Sequence, residues 1–238
     1  EGEGTLARQF EPSSLFFCDI DRLTHVVGGV GFVTAPDDHE FIFLVDRSSS
    51  MKGEPFEDMK RTLLACLERL ANVDATFNII SFGSTYERLF VDSQSTADPS
   101  ALATAKNYVD KMRPNFGGTE LWQPLRSLFL MAHEERTPRN VFIFSDGHPT
   151  NQESLVELIK QNASHTRVFS FGFGSNCSRH MVRSLARVGG GVAEFMPANK
   201  LPTRSKIERQ FRRALQPGIP TLLLPGSAVL VGTDISTF

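Results

Sequence analysis

Between residues 40 and 216 the chain alternates repeatedly between short apolar runs and longer stretches that carry a single apolar stripe. Short unbroken apolar runs are the signature of strands buried on both faces, and parallel strands require crossover connections, which come as right-handed βαβ units. The fold class that follows is α/β: a doubly wound, mostly parallel sheet with helices on both faces and one short antiparallel edge strand. FIFLV (41–45), FNIISF (77–82), NVFIFS (140–145), RVFSFGFG (167–174) and GVAEFM (191–196) are the predicted buried strands, with YERLFV (86–91) at an edge. A first helix follows from Phe56, Met59, Leu63, Cys66, Leu67 and Leu70 at spacings of three and four. Others are expected over 98–112, opened by Asp98-Pro99-Ser100, and near 121–133, 152–161, 179–188 and 203–215.

Residues 1–38 and 217–238 stand outside this alternation. The first reads as an extension from a preceding region, with a turn and strand at GGVGF. The second reads as β structure or the start of a following domain. The whole is expected to be a piece of a longer, multidomain protein. With 20 Phe against 2 Tyr and 1 Trp, the aromatic usage suits strands packed on both sides. A net charge of -2 gives no electrostatic footprint for nucleic acid, and no apolar run is long enough to span a bilayer. Three scattered cysteines, Cys18, Cys66 and Cys177, form no zinc or redox motif, and their odd number favours a reducing, cytoplasmic setting. The triplets at Asn162 and Asn176 match the glycosylation pattern and keep secretion as the alternative.

In an open α/β sheet, ligands bind beyond the carboxyl ends of the strands. After FIFLV comes Asp46-Arg47-Ser48-Ser49-Ser50; after NVFIFS comes Asp146; and the loop before Leu121 holds Gly117-Gly118-Thr119. Two carboxylates and three hydroxyls are thereby expected at one rim, an all-oxygen set suited to a hard cation such as Mg²⁺ or Mn²⁺. Two carboxylates barely neutralise a divalent ion, which stays electrophilic toward another acidic oxygen.

FIFLVDRSSSM, GGTEL and FIFSDGHPT, in this order, resemble the metal-ion-dependent adhesion site of a von Willebrand factor type A domain, over about residues 39–216. FNIISFGS, GGTELW, RNVFIFSDGH and TRVFSFGFGS are similar to the intracellular branch containing the vault poly(ADP-ribose) polymerase; the secreted inter-alpha-trypsin inhibitor heavy chains are a more distant likeness. The resemblance implies that Ser48 and Ser50 hold the metal directly, Thr119 joins in the ligand-bound form, and Asp46 and Asp146 act largely through water. It further implies a partner protein that supplies a Glu or Asp, with Met51, Gly118, Glu120 and His148 on the partner-facing rim. Arg47 departs from the pattern by placing a cation where many adhesion members have an uncharged residue.

Other readings compete. The hydroxyls are helix caps in the plainest one. Asp46 is a phosphatase-type nucleophile in another, although Ser48 replaces the second acid of such sites. A dinucleotide site at Gly172, Gly174 and 189–191 lacks the third glycine of its motif. Cys177 beside a helix start is either a lowered-pKa thiol or an ordinary one. Arg204, Lys206, Arg209, Arg212 and Arg213 form a solvated face of the closing helix, which in adhesion relatives shifts with metal occupancy. The expectation is a non-enzymatic binding module, with a structural scaffold domain of a large vault-like assembly as the alternative.

Overall fold

The computed structural model describes residues 39–131, 137–196 and 204–216 in full, together with the backbone of 222–223 and 229–230. The chain divides into two compact units, Pro36–Gln216 and a second made of Glu1–Ala35 with Pro217–Phe238. In the second unit Leu222–Leu223 pairs antiparallel with Val229–Leu230. The expected turn and strand at GGVGF, and Cys18, lie outside the described residues.

The unit Pro36–Gln216 is built on β1 (His39–Asp46), β2 (Ala75–Phe82), β3 (Tyr86–Arg88), β4 (Gln94–Ser95), β5 (Arg139–Ser145), β6 (Thr166–Gly172) and β7 (Gly190–Phe195). Its helices are α1 (Glu54–Leu70), α2 (Pro99–Lys111), α3 (Trp122–Phe129), α4 (Gln152–Asn162), α5 (Arg179–Val188) and α6 (Arg204–Leu215). The sheet runs β3-β2-β1-β5-β6-β7, parallel except that β3 and the two-residue β4 pair antiparallel with β2. The winding reverses between β1 and β5, where a doubly wound sheet opens its crevice.

Side chains alternate across the strands, and the two faces differ in kind. Phe41, Phe43, Phe142, Phe144, Phe169, Phe171 and Phe173 face α1, α2 and α6; Ile42, Leu44, Val141, Ile143 and Val168 face α3, α4 and α5. Phe142 meets the rings of Phe169 and Phe211 at 5.1 and 5.3 Å, edge to face. Each fully buried ring contributes about 1.5–3 kcal/mol. Ile207, Phe211 and Ala214 bury the inner side of α6, while Arg204, Arg212 and Arg213 stay exposed.

The edge strand and α3 are shorter than the sequence suggests, and β6 ends at Gly172 rather than Gly174. The edge strand stops at Arg88, not at Val91, because the buried side chain of Asn78 takes over the role of a strand: its amide donates to the Phe90 carbonyl (2.9 Å) and accepts from the Phe90 N–H (3.1 Å). Helix α3 closes at Phe129, with Leu130 as its cap, and the last residues of the longer expected helix, 132 and 133, lie outside the described ones. Helix α2 begins as expected: the Asp98 carboxylate accepts from the Ser100 N–H at 2.8 Å, ahead of Pro99 at the first helical position. Among the described residues, no helix is long and apolar enough to cross a membrane.

Candidate metal centre

The carboxyl ends of β1 and β5 set the two acids. Asp46, the last residue of β1, is fully buried, and Asp146, just past β5, is 7% exposed. One Asp46 oxygen accepts from the Ser48 N–H (2.8 Å), which turns the loop back over the strand end, and the other accepts from the Ser145 hydroxyl (2.6 Å). That turn brings the Ser48 and Ser50 hydroxyls within 2.9 Å of each other. Ser50 is exposed and Ser48 buried, so the pair runs from the interior to the surface.

Thr119 reaches the rim through its backbone. The Ser49 N–H donates to the Gly117 carbonyl (2.7 Å), and the Thr150 N–H donates to the Thr119 carbonyl (3.1 Å). Three loops are thereby tied together: the one after β1, the one before α3 and the one after β5. Gly117 has φ +77°, a left-handed conformation that disfavours other residues, and the Ser84 hydroxyl accepts from the Gly118 N–H (2.8 Å). Ser48, Ser50 and Thr119 cap no helix: the turn at Ser49–Met51 has no side-chain cap, and Gly53 and Leu121 precede α1 and α3. The capping alternative therefore does not account for these hydroxyls.

No lysine or arginine among the described residues pairs with either acid; one Asp146 oxygen lies 3.4 Å from the His148 ring nitrogen and accepts from the His148 backbone N–H at 3.3 Å. Burial, against the hydrogen bonds from Ser145 and Ser48 and with the added repulsion of Asp146, pushes the Asp46 carboxyl up to about 6. This donor set fits a hard divalent ion, since an added positive charge relieves both the burial cost and the repulsion. No three His, Cys, Asp or Glu side chains converge among the described residues, so such an ion would draw on the hydroxyls. A nucleophilic Asp46 is not supported, because the carboxylate is inaccessible and both of its oxygens already accept hydrogen bonds.

Arg47 does not put its charge at the rim. Its guanidinium turns away to Glu87 (2.7 Å), Asn115 (2.8 Å) and the Arg113 carbonyl (2.9 Å), and lies 3.9 Å from the centre of the Phe116 ring. With the Phe116 N–H bonded to the Arg47 carbonyl (3.0 Å), it clamps the serine loop to the segment that leads into Gly117-Gly118-Thr119. Sequence reading also missed Ser145 and Thr150. Ser145 immediately precedes Asp146 and Thr150 closes the same FIFSDGHPT run, and a serine ending a strand before a buried acid is the signal that pointed to the first.

The four rim positions separate. Gly118 and His148 are exposed, and Glu120 is half-buried and accepts from the Thr150 hydroxyl at 3.0 Å. Met51 is a correction: it is fully buried in the phenylalanine-lined core, so it supports the loop from below and presents nothing to a partner. Cys177 is no activated thiol; burial and the nearby Asp146 push it up to about 11. Burial likewise raises the Cys66 thiol.

Residues 39–195 match the family model of the von Willebrand factor type A domain. The chain belongs to that family. It is 37% identical over 179 residues to human von Willebrand factor A domain-containing protein 5B1, covering 75% of this chain and 14% of that protein. It is 35% identical over 180 residues to mouse protein mono-ADP-ribosyltransferase PARP4, covering 75% of this chain and 9% of the relative. A von Willebrand factor A domain-containing protein of Dictyostelium discoideum is 38% identical over 184 residues, 77% of this chain and 9% of that protein. The chain thus spans a small part of the relatives it matches. Among solved structures, manganese-loaded Plasmodium vivax TRAP superposes with a TM-score of 0.55 at 18% identity, covering 68% of this chain and 69% of that one. An aerotolerance-related membrane protein of Bacteroides fragilis gives 0.61 at 17% identity, covering 74% and 98%. Type A domains generally mediate protein–protein interaction, often through a divalent metal.

Proposed function

We propose that this type A domain is a protein-binding module that uses a Mg²⁺ ion, with Mn²⁺ able to replace it, to grip a Glu or Asp of a partner protein. Asp46, Ser48, Ser50, Thr119 and Asp146 would hold the ion, which supplies an electrophilic position for the partner's carboxylate. The observation that carries the reading is the pair of buried acids at one rim, surrounded by hydroxyls and matched by no lysine or arginine among the described residues. The manganese-loaded structural neighbour supports the choice of ion class. The role is binding, with no bond made or broken. The cytoplasmic setting goes with it, on the cysteine count and the likeness to the intracellular branch, as does a module at 39–216 flanked by pieces of a longer protein.

Thermal unfolding of the chain in EDTA, then with Mg²⁺ or Mn²⁺, tests this. Metal at about 100 times its Kd stabilises the native state by about 2.7 kcal/mol, a rise of several degrees. Asp46→Ala is expected to abolish the rise. No shift in the wild type at millimolar metal sinks the reading. A metal shift combined with partner binding that survives both EDTA and Thr119→Ala favours the scaffold role, in which the ion only stiffens the loops.

A further inference from the structure

Helix α5 carries Arg179, Arg183 and Arg187 at successive spacings of four, all exposed, with no acidic residue in the helix. Like charges at this spacing repel, and Arg179 sits at the helix N-terminus, where the macrodipole disfavours a cation. No ion pair relieves any of the three among the described residues. Every other feature of α5 is conventional: Met181, Val182, Leu185 and Ala186 bury its inner face. Two of the guanidiniums rest against an aromatic ring. Arg179 lies 3.9 Å and Arg183 5.2 Å from the centre of the Phe195 ring, at the end of β7, which holds them on one aromatic plane while their N–H edges stay free to bind.

This cluster adjoins the metal rim. The Ser178 N–H donates to the Asp146 carbonyl at 2.8 Å, one residue before Arg179. The Phe195 ring and the Cys177 sulfur both pack over Gly172, at the end of β6, so closely that an added Cβ would lie 2.7 and 2.8 Å from them. A continuous path therefore runs from Asp146 through Cys177 to Phe195 and the arginines.

We propose that Arg179 and Arg183, resting against Phe195, form a second contact for the same partner and that the partner segment is acidic beyond the one residue at the metal. The proposal rests on the metal-rim reading and extends it to the partner's composition. A protein segment fits better than other polyanions. The net charge of -2 gives no broad electrostatic footprint for nucleic acid, and none of the exposed large hydrophobics among the described residues, Tyr86, Val91 and Leu130, lies on α5 to enter a lipid layer.

Binding of fluorescein-labelled decaglutamate to the full 238-residue chain, followed by anisotropy in EDTA and again in Mn²⁺, tests both steps. The peptide is expected to bind in EDTA, more weakly as salt rises, and Arg179→Gln with Arg183→Gln is expected to weaken it about fivefold. Mn²⁺ is expected to strengthen binding to the wild type and to this double variant, but not to Asp46→Ala. Unfolding temperatures in EDTA check that each variant is folded. Undiminished binding by the double variant overturns the proposal, as does an equal loss in Arg212→Gln with Arg213→Gln, which would mark unspecific attraction. Tighter binding of decauridine or of phosphatidylserine vesicles through the same two arginines overturns the choice of partner. An arginine dependence with no Mn²⁺ effect on the wild type would instead sink the metal reading and leave the arginine contact standing.

Discussion

The same two strands carry opposite electrostatic arrangements at their two ends. At the amino ends, Glu40 of β1 stands beside Arg139 of β5 in the sheet register, and the pair is closed: Arg139 Nε donates to Glu40 at 2.6 Å, the Ser93 hydroxyl donates to its other oxygen at 2.6 Å, and Arg139 also reaches the Leu128 carbonyl at 3.0 Å. At the carboxyl ends the strands deliver Asp46 and Asp146, both acidic, both buried, and matched only by hydroxyls, N–H groups and one imidazole. Elsewhere the buried acids follow the first pattern, with Asp58 on Arg61 and Glu194 on Arg209. Among the described residues the buried acids Glu40, Asp58 and Glu194 each have an arginine, whereas Asp46 and Asp146 have none at the place where the loops converge. The amino end needs nothing from outside; the carboxyl end, on the proposed function, is completed by a cation.

The largest effect is expected from breaking the closed end. Arg139→Leu leaves Glu40 buried without its guanidinium, and removing one partner of a buried pair costs about 3–5 kcal/mol. Chemical denaturation should show this loss equally in EDTA and in Mg²⁺, since nothing at that end depends on metal. A loss that vanished in Mg²⁺ would mean that the two ends are not independent.

The open end should respond in the opposite direction. Because burial lifts the Asp46 pKa from 3.8 to about 6 in the folded chain, the native state holds that proton more tightly than the unfolded one. Its contribution is therefore present in full below about pH 4 and lost as pH rises through about 6, by about 3 kcal/mol at neutral pH. Asp46→Asn keeps one acceptor oxygen for the Ser48 N–H, turns an amide donor toward the Ser145 hydroxyl, which can rotate to accept it, and removes the charge. It is expected to stabilise the metal-free domain at pH 7.5, to flatten the stability profile between pH 4 and 6, and to eliminate the gain from Mg²⁺. Denaturation midpoints across that pH range check all three, and a destabilised, still metal-responsive Asp46→Asn would refute the contrast.

Much of this contrast could be read from sequence, and for a physical reason. Buried parallel strands have a strong apolar signature, so β1, β2, β5, β6 and β7 and the loops at their ends were locatable, and with them the positions of Asp46, Ser48, Ser50, Thr119 and Asp146. What was hidden depended on where long or polar side chains turn. Asn78 imitating a strand edge ends β3 early, Met51 folds inward from a loop that reads as exposed, and Arg47 sends its charge away from the loop to which it belongs. The closed pair was hidden as well, because Glu40 and Arg139 lie 99 residues apart and meet only once the register of β1 and β5 is fixed.

The smallest expected effect on stability is also the sharpest probe of how the open end is held. Arg47 joins the serine loop to the segment before Thr119, yet Glu87, its ionic partner, is about half exposed, so the pair itself contributes little to folding. Arg47→Met keeps the bulk over Phe116 and removes the hydrogen bonds to Glu87, Asn115 and the Arg113 carbonyl. Stability in EDTA is expected to fall by about 1 kcal/mol. Mn²⁺ affinity, titrated by its paramagnetic resonance signal, should drop about tenfold, as when a group that orients metal ligands is lost. If the affinity is unchanged while stability falls, Arg47 is only a packing residue and the bond from Ser49 to Gly117 is enough to bring the two loops together. If affinity falls with little change in stability, the geometry of the open end is set by a cation that never touches the metal, which is how a positive side chain can belong to a cation-binding loop.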